Sequence, residues 1–363
     1  MNLPPLPLRN GALYLDYSHG LDNLLTCMRK TEYNFLRNRI RADDAVALNF
    51  GTAVHLAMEL RYQRYGTGSV DQHYFDDLSR VLSLHFTEHP APMDDWRNMN
   101  WCMELIRHYL GRYPTEDFEL LEWTMPRKCD HCRSSAEVDS SREFPTGECP
   151  FCSGTGFSKR MVEVSFHTKL CDLRYTEPYS DISHALPVFY TGKIDLPVLL
   201  HGKLLINDHK TSSIMGAMVF DQLNMSDQQK GYCWAFQQTT GLAVDGYAPN
   251  VIRSKEPPQY VLNGTEFRGK KGTITQWWEE SFQRDYHYLG TGELEAWHRN
   301  TVAKVEEFLW HYSRDYLPME PTACTRFGRC AYYDVCSTFP LADRLVLLQS
   351  PMFKDNTWSP LKK

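Results

Sequence analysis

The chain has 363 residues, a formal net charge of −6 and an apolar share of 42%, enough for one large domain or two ordinary ones. No run of eighteen apolar residues occurs, which argues against a membrane-spanning helix. The start, MNLPPLPLRNGALYLDYSHG, lacks the basic end and apolar stretch of a signal peptide, so a soluble cytoplasmic protein is expected. The acidic balance does not advertise nucleic-acid binding, although phosphate contacts need only a local basic groove.

In chain order, a helix is expected around Cys27 in SHGLDNLLTCMRKTEYNFLRN. The stretch NFGTAVHLAMELRYQRYGTG reads as helical from Gly51 to about Arg64, ended by Gly66 and Gly68. His55 and Glu59 are four apart there and share a face. WRNMNWCMELIRHYLGRYP reads as a further helix closed by Gly111 and Pro114.

The next segment holds two CxxC pairs, Cys129 with Cys132 and Cys149 with Cys152, sixteen residues apart. Each tight turn aims two sulfurs at one ion, and four thiolates fill a tetrahedral zinc site with no position left for chemistry. The residues between are polar and supply little core, so a structural zinc is expected to hold them together. The spacing disfavours two incidental free-thiol turns. The flanks LLEWTMPRK and MVEVSFHTKL are both strand-like, which makes the knuckles an insertion at the tip of a strand pair.

LPVFYTGKIDLPVLL and KLLINDHKT follow, parted by His201-Gly202, as a β-hairpin. FDQLNMSDQQKGYCWAFQQTTG reads as a helix from about Asp221 to Gly241, and LAVDGYAPNVI as a strand. TITQWWEESFQRDYHYL and LEAWHRNTVAKVEEFLWHYS read as helical. A βββαβ block is thus wrapped in helices, with no internal repeat. Near the C-terminus Cys324, Cys330 and Cys336 stand with five residues between successive members. Three thiolates make an incomplete set; Cys27 is the candidate fourth, and reads equally as a packed thiol. Cys102, Cys171 and Cys233 have no motif around them and are assigned to packing.

Asp195, Asp208 and Lys210 interrupt apolar strands. Asp208 and Lys210, two apart, leave one face of their strand, and folding at His201-Gly202 brings Asp195 toward Asp208. Two buried carboxylates repel unless something compensates them. A divalent cation does so, and it also helps activate water beside a phosphodiester. Lys210 is then placed to orient the nucleophile or stabilise developing charge. A lone DxK reads more readily as a surface ion pair.

The ordered set GTAVH, GKID, NDHKT and QQKGY resembles the RecB-like branch of the PD-(D/E)XK nuclease superfamily, which includes the RecB and AddB nuclease domains and CRISPR-adaptation exonucleases. The likeness runs from about Cys27 to Cys336. It implies an α/β, restriction-endonuclease-like mixed central sheet flanked by helices, with an iron–sulfur-stapled helical shell; the zinc-knuckle insertion expected from the cysteine spacing is not a general feature of that family. By position it implies Mg2+ or Mn2+ held by His55, Asp195, Asp208 and the carbonyl of His209, with Lys210 catalytic. Gln228 and Tyr232 would face the site and contact the DNA backbone. Glu163 matches a less constant acidic position, and Glu59 is a further candidate. Iron–sulfur members place one cysteine before the core and three after it, as Cys27 and the later trio do; their usual CxxC at the start of the trio is absent here, so a second zinc stays open beside [4Fe–4S].

The expected organisation is a helical region over 1–120, the knuckle insertion over 121–165, the nuclease core over 160–260 and a C-terminal helical region over 261–363. The expected activity is that of a metal-dependent exonuclease on single-stranded DNA ends, serving recombination, repair or phage DNA metabolism with a recombination or helicase partner. A catalytically idle DNA-binding partner with the same fold is the alternative, and a redox protein using the cluster a further one.

Overall fold

Apolar side chains alternate with polar ones along the middle of the chain, and the structure there is sheet. A computed structural model describes residues 3–42, 45–131, 149–262, 265–268, 274–325, 329–338 and 340–355. Its strands are β1 (Leu13–Leu15), β2 (Arg39–Arg41), β3 (Glu119–Leu120), β4 (Glu122–Lys128), β5 (Phe157–Arg160), β6 (Val164–Thr176), β7 (Ser183–Ile194) and β8 (Leu196–Leu200). They continue as β9 (Lys203–Ser212), β10 (Gly246–Arg253), β11 (Gln259–Leu262), β12 (Thr265–Arg268), β13 (Phe282–Arg284), β14 (His287–Tyr288) and β15 (Phe353–Asp355).

Two sheets carry the architecture. One has the order β1-β7-β6; the other has the order β13-β10-β9-β8-β3, with β14 also on β10. The second is mixed: β9 and β10 run parallel and its other pairs antiparallel. Parallel neighbours need a crossover, and helices supply it here. The expected single helix is split into Ala217–Asn224 and Asp227–Thr240. Ser226 restarts it by accepting from the N–H of Gln228, and Gly241 closes it at φ +74°.

The run LPVFYTGKIDLPVLL is not one strand. It passes from β7 in the first sheet to β8 in the second, and the change falls at Asp195. His201 and Gly202 turn β8 into β9 with φ of +50° and +75°, the geometry of a tight hairpin turn. One core packs the β6–β7 face against the helices Asp227–Thr240 and Glu293–Tyr312. The other packs β8, β9 and β10 against the helices Ala45–Leu60, Gln72–Glu88 and Met99–Arg112.

Several elements depart from expectation. The helix around Cys27 is broken there, with φ −163° and ψ 114° between Asp22–Thr26 and Met28–Thr31. The helix Gln72–Glu88, capped by Asp71, had no expectation attached. In TITQWWEESFQRDYHYL only Ile274–Glu279 is helical; Phe282–Arg284 and His287–Tyr288 instead pair with β10. An open strand edge there offers backbone partners that a weak helix former accepts. The strand paired with β4 is β5, not β6. Among the described residues no helix is long and apolar enough to cross a membrane.

Candidate active site

Asp195 occupies the corner between the two sheets. Ile194 pairs with Val164, and Leu196 pairs with Asn207, so the register sets Asp195 opposite Asp208. Its carbonyl accepts from the N–H of Glu163 at 2.9 Å, and its Oδ2 from the N–H of His209 at 2.8 Å. Both sheets therefore hold this one residue.

His55 reaches the corner from the helix Ala45–Leu60, with Nδ1 3.4 Å from Asp195 Oδ2. Gly51 allows the approach: a Cβ there would lie 3.1 Å from Thr211 Oγ1. Glu163 arrives just before β6 at φ +51°, a conformation side-chain-bearing residues rarely adopt. One donor atom from each of His55, Glu163 and Asp195 lies within 4.8 Å of the others. An imidazole and two carboxylates are a donor set that suits a hard divalent cation.

On β9, Lys210 Nζ stands 3.0 Å and 2.7 Å from the two Asp208 oxygens. Gln229 Nε2 donates to Asp208 Oδ2 at 2.7 Å. The His209 side chain alternates to the other face of the strand. It lies parallel to Tyr62 at 5.7 Å, with Nδ1 2.8 Å from Asn250 Nδ2.

The charges are tightly interdependent. Burial lowers the pKa of His55, but the Asp195 carboxylate outweighs it and holds the imidazole at about 9. Burial likewise pushes Asp195 up, yet His55, His209 and Lys210 together keep it below the usual carboxylate range. Glu163 is pushed up to about 7 by burial and by the Asp195 and Glu59 carboxylates. Asp208 is raised by burial and by Asp195, against the pull of Lys210. Three acidic groups thus crowd one spot with too little positive charge to keep all of them ionised.

Gln228 and Tyr232 bond to each other at 3.0 Å, and Tyr232 is buried against Phe166. The glutamine in contact with Asp208 is the next one, Gln229, which the sequence reading missed. A signal was available: Gln229, Tyr232, Cys233 and Phe236 form the buried i, i+3, i+4, i+7 stripe of their helix. Glu59 is turned to another partner, with Oε1 2.7 Å from His131 Nε2. Trp277 is buried, Trp234 stacks on His298 and Trp278 on His108.

The thiols gather in two places. Cys129 and Cys149 have their sulfurs 3.9 Å apart, close to the edge of about 3.8 Å that a tetrahedron with 2.3 Å Zn–S bonds requires. Cys152 joins them within 4.8 Å and accepts from the N–H of Gly156. Cys132 lies outside the described residues. Elsewhere, Cys27, Cys324, Cys330 and Cys336 line one cavity of about 320 Å³. Cys27 is brought there by the N–H of Arg29 donating to the Pro318 carbonyl and by the pairing of β2 with β15.

A clustered imidazole and two carboxylates beside an aspartate–lysine pair, at the seam of a mixed sheet, form a site that could hold a divalent cation. A family model described as the PD-(D/E)XK nuclease superfamily matches residues 19–337, and the chain belongs to that superfamily. No curated protein shows significant similarity to it. Membership makes it a nuclease by family, with a divalent metal at its centre and nucleic acid as its substrate class.

Proposed function

We propose that the protein is a Mg2+- or Mn2+-dependent deoxyribonuclease of the RecB-like branch that acts as an exonuclease on single-stranded DNA ends. The observation that carries this is the convergence of His55, Glu163 and Asp195 within 4.8 Å, beside Asp208 paired to Lys210. His55, Glu163, Asp195 and Asp208 would hold the cation, with the His209 carbonyl as a further ligand. A divalent cation there offsets the carboxylates, polarises the phosphate and eases deprotonation of water.

The chain's own groups do the rest. Lys210 neutralises Asp208 while no substrate is bound, and its ammonium donates to a phosphoryl oxygen as charge grows there. Gln229 fixes the Asp208 carboxylate in one orientation, which limits the motion lost at the moment of reaction. Gln228 and Tyr232 border the site and contact the DNA backbone. Water oxygen bonds to phosphorus, the ester P–O bond breaks, and the departing oxygen takes a proton.

The thiol groups are assigned supporting roles. Cys129, Cys132, Cys149 and Cys152 hold a structural zinc. Cys27, Cys324, Cys330 and Cys336, which line one cavity, hold a [4Fe–4S] cluster. The deciding experiment incubates end-labelled single- and double-stranded DNA with Mg2+ or Mn2+ and compares wild type with Lys210→Ala. Mononucleotide release from single strands by wild type alone is expected. Equal cleavage by both proteins rejects the site, and cleavage by neither favours an idle DNA-binding partner.

A further inference from the structure

The ribbon formed by β4 and β5 stands outside both main sheets as a separate two-stranded unit. It is held at both ends. At its root the N–H of Met161 donates to the Leu121 carbonyl at 2.8 Å, and Arg160 donates to the carbonyls of Tyr62 and Gln63 at 3.1 Å each. At its tip the N–H of Cys129 donates to the Gly156 carbonyl at 2.8 Å, next to the sulfur trio. The ribbon is thereby kept stiff, and its tip is packed: Cys129, Cys149 and Cys152 are buried, and Arg64 donates to the Pro150 carbonyl at 3.1 Å.

Its surface differs from the rest of the chain. The protein carries a net charge of −6, yet Arg127, Lys128, Lys159 and Arg160 sit on this ribbon against one acid, Glu122. Lys128 pairs with Phe157 across the ribbon, and Lys159 is two residues on from Phe157, so all three share a face. Lys128 and Lys159 are exposed and Phe157 is 49% exposed. Among the described residues neither lysine has an ion-pair partner. On the other face Arg127 lies over the Trp123 ring at 3.5 Å. Two free ammonium groups flanking an open phenyl ring match a single strand, whose phosphates and base faces alternate.

The ribbon also leads to the site. Lys159 is four residues from Glu163, which limits their separation to about 14 Å of extended chain. We propose that the β4–β5 ribbon is an arm that holds single-stranded nucleic acid beside the cation site, with Lys128 and Lys159 on phosphates and Phe157 stacked on a base. This rests on the nuclease reading and adds to it the path of the substrate strand.

The test measures binding of a fluorescein-labelled oligothymidylate of about twenty nucleotides over a series of salt concentrations. It uses the full chain with Lys210→Ala and no added divalent cation, so that the oligonucleotide stays intact. Adding Lys128→Gln and Lys159→Gln should make the slope of log affinity against log salt shallower by about 1.4, at about 0.7 for each phosphate no longer neutralised. Adding Phe157→Ala instead should weaken binding roughly tenfold and leave the slope alone, because a stacked base carries no counterion. Unchanged slope in the lysine variant, or unchanged affinity in the Phe157 variant, overturns the arm. The nuclease reading is judged separately, by cleavage with the wild-type protein. Cleavage that persists while the arm variants bind normally removes only the arm.

Discussion

Asp195 is the residue on which the site turns, because both sheets bond to it and its charge raises His55 and, after burial, Glu163. His55 and Glu163 keep raised pKa values beside it, about 9 and about 7. Each stabilises the cation-free fold below its unfolded value and loses that contribution as pH climbs. The window is about 4.5 to 7 for Glu163 and 6.5 to about 9 for His55. A cation must displace both protons, so its affinity should rise with pH across this range. Titration calorimetry near pH 7 in buffers of differing ionisation enthalpy should find a net release of protons on cation binding. Affinity that falls with pH would contradict the ligand set. Lys210→Ala should cut turnover by roughly 10² to 10⁴ while Mn2+ binding, read by electron paramagnetic resonance, persists. Gln229→Leu should lower turnover less, through an Asp208 no longer held, with little change in substrate affinity.

The helix Asp227–Thr240 couples site and core. Gln228 bonds to the buried Tyr232 while Gln229 donates to Asp208. Gly231 lets it lie close: a Cβ would come within 2.8 Å of Trp297 and 2.9 Å of the Tyr190 hydroxyl. Both neighbours are buried, so neither can yield cheaply. Gly231→Ala should therefore cost about 1–3 kcal/mol in denaturant unfolding. It should also reduce cleavage more than the stability loss explains, since the displaced helix carries Gln229. Wild-type stability in that variant would mean the packing is looser than these distances imply. Much of this element was legible in FDQLNMSDQQKGYCWAFQQTTG, including its Gly241 stop. Its start was not, because Ser226 interrupts a stretch that propensity alone reads through.

Across the molecule, distant ends of the chain meet. β2 pairs with β15, and Cys27 lines one cavity with Cys324, Cys330 and Cys336. A thiolate-bound group there would close a loop of about three hundred residues, and long loops have the largest closure entropy to lose. Cys27→Ser should abolish any absorbance near roughly 400 nm and lower the midpoint of thermal unfolding. A colourless wild-type protein containing zinc in that cavity would overturn the iron–sulfur assignment.

Local patterning was enough for the ordered motifs, the strand alternation and the hairpin at His201-Gly202, all of which depend on neighbours within a few residues. Family membership was legible for the same reason, since GTAVH, GKID, NDHKT and QQKGY are local patterns in a set order. Folding in three dimensions made Asp195 a corner between two sheets rather than a point along one strand. It brought Glu163 to His55, Glu59 to His131 and Gln229 to Asp208. It gave the aromatic stretch after Ile274 to the edge of β10. Each of these depends on which backbone groups and which buried charges lie opposite one another after folding, and that proximity is written in no short stretch of residues.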